Sequence, residues 1–164
     1  MTRKLPFLMF GIFLTVCASA VFSSLPLEIA KPDIGIPFII YGIFFLSPAE
    51  GLFAAVLFGL TREALSSVPA GSTLFTGIMV ALSCIFLKSR LYIESRYTFA
   101  LVCAAGVLTE SFLFLALSML AKGETKDFYN VLVFALPDAI ETGFLGLFLF
   151  ILFERSKIRY MGRV

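Results

Sequence analysis

Apolar residues in this chain come in long unbroken runs, separated by short polar or Pro/Gly breaks. The period-2 alternation that marks a half-buried strand is absent, so the runs predict helices. Six are legible: Leu5 to Ser24, Ile34 to Ser47, Ala49 to Leu65, Ser72 to Leu87, Thr98 to Ala121 and Tyr129 to Phe153. A lipid core takes roughly 20 apolar residues to cross as a helix. It offers backbone groups no water, which confines spans to helices and closed barrels. The pattern therefore predicts an all-α integral membrane bundle of six transmembrane helices with short loops, one domain over residues 1–164.

Composition sharpens this. The chain is 60% hydrophobic and 15% charged, with 20 Phe, and its mean hydropathy is +1.01. Soluble domains sit nearer half apolar and about a quarter charged. Lys and Arg are retained on the cytoplasmic side of a membrane. Six spans place both termini on one side, together with the "SPAE" turn and the loop "KSRLYIESRY". That side gathers Arg3, Lys4, Lys88, Arg90, Arg96, Arg155, Lys157, Arg159 and Arg163, against Lys31, Lys122 and Lys126 on the other. Both termini are expected to be cytoplasmic.

The second and third runs are short, reaching roughly 21 to 25 Å at 1.5 Å per residue. Two full spans are expected, with the bilayer thinning locally, because Pro48 and Glu50 at their turn prefer water. A re-entrant hairpin is the other geometry. At the N-terminus, a basic start, an apolar centre and Ala18-Ser19-Ala20 imitate a cleavable signal. "LTVC" also approaches a lipoprotein site, but Val16 is too large for the position before that cysteine. An uncleaved first helix is expected.

Ionisable residues within spans are costly and are functional candidates by default. They are Arg62, Glu63, Glu110, Asp138 and Glu141. Four acids facing one base would leave a net negative cluster, which burial and like-charge repulsion oppose, so some of these acids are expected as neutral donors. Arg62 lies within about one turn of an outer helix end, where its long side chain can also reach the interface. Gly51, Ala55, Gly59 and Glu63 follow at i+4 steps, a small-residue seam that admits another helix and ends in a carboxyl. Gly106 sits one turn before Glu110. Pro137 interrupts the backbone ladder ahead of Asp138 and Glu141, which are i, i+3 neighbours. Interhelical hydrogen bonding is the first reading of this polar set. A proton or cation path and a docking surface are the others.

Catalytic and metal chemistry find little support. The chain has no His, so the usual neutral-pH proton carrier and commonest metal ligand are missing. Cys17, Cys84 and Cys103 lie in apolar runs at no metal-ligand spacing and read as reduced, buried small side chains. Ser66, Ser67 and Ser72 flank a glycine turn without a general base and read as helix-end chemistry. No enzyme activity, cofactor or nucleic-acid partner is expected.

The stretches "KPDIGIPFIIYG" and "EGLFAAVLFGLTREALSSVPAGSTLF", with the length and span number, resemble the rod shape-determining MreD family. In that family a Gly-Leu-x-x-Asp pattern closes the third span and a glycine turn leads into the fourth. Gly59, Leu60 and Glu63 match with Glu in place of Asp, Gly71 matches the turn, and Pro32 fits the proline ahead of the second span. Arg62 departs from the commonest form. The resemblance implies a non-catalytic, multi-pass component of the bacterial inner-membrane elongation machinery. Its implied partner is the single-span periplasmic protein MreC and, through it, the RodA glycosyltransferase with its penicillin-binding transpeptidase, above the actin-like MreB. The alternative is a substrate-binding subunit of an energy-coupling-factor vitamin transporter. There Arg62 would hold an anionic ligand beneath "SSVPAG". An ion-coupled transporter using Glu110, Asp138 and Glu141 is a third reading.

Overall fold

The computed structural model describes residues 5–24, 33–65, 71–91, 93–122 and 127–161. Among them every regular element is helical: α1 (Leu5–Ser24), α2 (Gly35–Tyr41) continuing as a π-helical turn (Gly42–Leu46), α3 (Pro48–Leu65), α4 (Ser72–Lys88), α5 (Arg96–Lys122) and α6 (Asp127–Met161). Arg96–Leu120 and Val133–Glu154 are long and apolar enough to cross a membrane. The helical stretches Gly35–Leu46 and Ser72–Lys88 are apolar but shorter.

The shortest helix is the central one. Every residue from Gly35 to Ile40 is buried, and α2 packs against α1, α3, α4, α5 and α6. A helix that is apolar on all sides belongs inside a protein. Its 12 residues to Leu46 reach only about 18 Å. Packed inside the other helices, it has no outer surface whose length must be matched. Phe38 and Phe58 pack with ring centroids 5.6 Å apart. Phe153 of α6 meets Phe38 edge-on at 5.2 Å and Tyr41 at 4.4 Å. Phe45 and Phe99 both pack on Phe150.

The turn from α2 into α3 has local causes. Ser47 is extended and its N–H donates to Gly42 O at 3.0 Å, closing the π turn. Its Oγ accepts from the Glu50 N–H at 3.2 Å, an N-cap bond, and Pro48 takes the first helical position, where no N–H is needed. Lys88 of α4 donates to the Ile43 carbonyl at 2.5 Å. The two helices then meet backbone to backbone. A Cβ at Gly42 would lie 3.1 Å from Gly51 Cα, and one at Gly51 would collide with Ile43 Cγ1 and lie 2.8 Å from Ile43 N. α6 continues through Pro137 without ending.

Candidate functional site

The start of α2 is where the buried charges gather. Asp33 Oδ1 accepts from the Gly35 N–H at 2.9 Å, a carboxylate bonding its own backbone two residues on. Its backbone N–H donates to Thr142 Oγ1 of α6 at 3.0 Å. Asp33 is thus pinned from both sides, and its second oxygen faces the end of α3. There Arg62 turns inward rather than out to an interface: Nη1 lies 2.6 Å from Asp33 Oδ2 and 2.7 Å from Glu110 Oε1. Thr76 Oγ1 of α4 is 3.3 Å from the same Glu110 oxygen. The side chains of Asp33 and Glu110 are 9% and 11% exposed, and that of Arg62 31%.

Five elements therefore contribute to one polar cluster, in which two carboxyls meet the Arg62 guanidinium and two threonines bond those acids' residues. The start of α2 gives Asp33, α3 gives Arg62, α4 gives Thr76, α5 gives Glu110 and α6 gives Thr142. Glu110 is some 14 residues into α5, about 21 Å from its start, so the triad lies deep along that helix and not at a helix end.

Of the polar set read from the sequence, Arg62 and Glu110 are brought together. Asp138 and Glu141 are half-buried on α6 and feel one another's charge; the α6 residue bonded to Asp33 is Thr142. Glu63 sits at the outer edge, where its carboxylate accepts from the Gly71 N–H and lies 3.4 Å from Thr73 Oγ1. Gly71 adopts φ +90°, the left-handed conformation that a glycine takes at little cost. Pro32, Ser66 and Ser67 lie outside the described residues.

The small-residue seam is occupied by this chain itself. Gly51 lies against Ile43 of the α2 hairpin, and Gly59 against the Leu74 backbone of α4, where a Cβ would come within 2.9 Å of Leu74 Cα. Ala55 is fully buried, its carbonyl facing Gly77 of α4. Leu60, by contrast, points outward at 51% exposure. Compared with models of known families, with curated proteins and with solved structures, the chain matches none.

Sequence reading missed three members, Asp33, Thr76 and Thr142. Asp33 stands in the polar stretch "AKPD" just ahead of the apolar run that begins at Ile34, outside the predicted helix. The signal for it was the Asp-x-Gly spacing at a helix start, which favours a side-chain-to-backbone turn. Thr142 carried no signal beyond lying one residue from Glu141. Chemically the triad is a buried ionic joint between α3, α5 and the start of α2. Among the described residues no group of His, Cys, Asp and Glu is arranged to hold a metal ion.

Proposed function

We propose that this chain is a non-catalytic membrane scaffold of the rod-shape type. In this reading it is a six-helix bundle in the bacterial cytoplasmic membrane, with both termini inside, that docks the transmembrane helix of a single-span partner of the MreC kind. The observation that carries it is the use made of residues 51–65 and 71, the stretch with the family resemblance. Its glycines and Glu63 close α3 onto α2 and α4, and Arg62 closes it onto α5. A segment so engaged acts as a joint. The vitamin-subunit alternative needs Arg62 free for an anion, and its guanidinium is already shared by two carboxyls.

Support for the membrane comes from the outer surface. Phe13 of α1, Phe53 of α3, Phe86 of α4, Leu101 of α5 and Phe144 and Phe148 of α6 are all more than half exposed. Only a third of each apolar window in α5 and α6 is buried, whereas a core helix of a soluble protein buries most of its length. Apolar exposure of this extent on five helices matches lipid as the surrounding medium.

The partner then meets an outer face. Gly59 reports folding, so replacing it disturbs α4 whether or not a partner is present. Leu60 and Phe53 remain outward on α3, and docking is assigned to that face. The test is native isolation of the tagged chain with identification of everything that accompanies it. A single-span protein with a periplasmic domain is expected, with its recovery reduced several-fold by Leu60→Trp and unchanged by Phe148→Trp on α6. A stoichiometric small molecule with no protein partner would overturn the reading.

A further inference from the structure

We propose that Asp33 and Glu110 together hold one exchangeable proton beside Arg62, so that the triad is a neutral proton-binding site inside the bundle. The proposal is independent of the docking partner.

Charge counting sets the requirement. Two carboxylates and one guanidinium leave one net negative charge among groups that are nine-tenths buried on the acid side, and an uncompensated buried charge is strongly unfavourable. Geometry supplies the place for the proton. Both acids contact the same Arg62 nitrogen, Asp33 Oδ2 at 2.6 Å and Glu110 Oε1 at 2.7 Å, which brings the two carboxyls to one point. Asp33 Oδ2 is buried and accepts no hydrogen bond, its 2.6 Å contact with Nη1 being an ion pair. The other Asp33 oxygen is already taken by Gly35. A proton between the two acids gives Oδ2 its missing bond: Asp33 then donates to Glu110, or Glu110 donates to Asp33. One proton comes from water, no heavy-atom bond changes, and the triad becomes neutral.

The other groups around it do not supply this proton. Glu63 of α3 is turned to Gly71 and Thr73. α4 offers the hydroxyl of Thr76, and α6 the hydroxyl of Thr142. The acids Asp138 and Glu141 of α6 interact with each other.

Infrared spectroscopy of the full chain in detergent or lipid nanodiscs reads the proton directly, through the carbonyl stretch of a protonated carboxyl. At neutral pH the wild type is expected to show this band, exchanging in heavy water. Asp33→Asn and Glu110→Gln should each abolish it, because either leaves a one-to-one pair with Arg62. Asp138→Asn with Glu141→Gln should leave it in place. A wild type without the band at neutral pH would overturn the proposal, and that measurement needs no variant to fold. A band that survives in both Asp33→Asn and Glu110→Gln, or is lost with the α6 pair, would also overturn it.

Discussion

At Arg62 a single guanidinium nitrogen meets carboxyls from the start of α2 and the middle of α5, so the three side chains cannot be altered independently. Arg62→Leu leaves two acids face to face without their cation. Removing one partner of a fully buried pair costs about 3–5 kcal/mol. The partial exposure of Arg62 lowers that, and a loss of about 2 kcal/mol is expected in denaturant unfolding in detergent. Glu110→Gln keeps an acceptor for Arg62 and should cost less than about 1 kcal/mol. Equal losses in the two variants would show that the charge of Glu110 matters beyond the bond it accepts. The sequence made Arg62 and Glu110 legible, since each is an ionisable group in an apolar run. It left Asp33 out, because a polar residue beside a loop looks the same whether its side chain ends in water or folds under the bundle. That difference lies in contacts with residues far along the chain.

Among the elements, α2 and its hairpin with α3 set the architecture. Their backbones touch at Gly42 and Gly51, whereas Gly77 has room, with the nearest atom 3.7 Å from a Cβ placed there. Gly51→Ala must displace Ile43 backbone and side chain, and a loss of about 1–3 kcal/mol is expected from such overpacking. Gly77→Ala should be neutral or stabilising by up to about 1 kcal/mol, through the helix preference of Ala over Gly. Thermal unfolding of the two variants side by side checks the contrast. Lys88→Met removes the donor to Ile43 O and should raise hydrogen exchange of the Ile43–Ser47 amides while sparing α5. Helix positions were legible almost throughout: runs expected at 34–47 and 49–65 appear as Gly35–Leu46 and Pro48–Leu65. The shortness of the second run was legible too, but its cause was not. Local thinning of the bilayer is the expected accommodation for two short spans; what the fold adds is that other helices enclose the shorter one. The i+4 seam reads as a face for another helix, in packing or from a partner; the spacing identifies a close-packing face without saying whose helix fills it.

For the whole molecule, the account joins a buried ionic joint to an apolar exterior, and what surrounds that exterior decides the function class. The two longest apolar stretches, Arg96–Leu120 and Val133–Glu154, are long and apolar enough to cross a membrane, and under the proposed reading the basic residues at 88–96 and 155–163 would mark their cytoplasmic ends. The most direct measurement is labelling of single cysteines with a membrane-impermeant reagent in intact cells, starting from a chain with Cys17, Cys84 and Cys103 replaced. Cysteines at Gly71 and Gly123 should label from outside. Those at Thr2, Ser47, Ser89 and Arg163 should label only after the membrane is opened. Labelling of Gly71 and Ser89 from the same side, or recovery of the chain as a monodisperse species without detergent, would contradict the account.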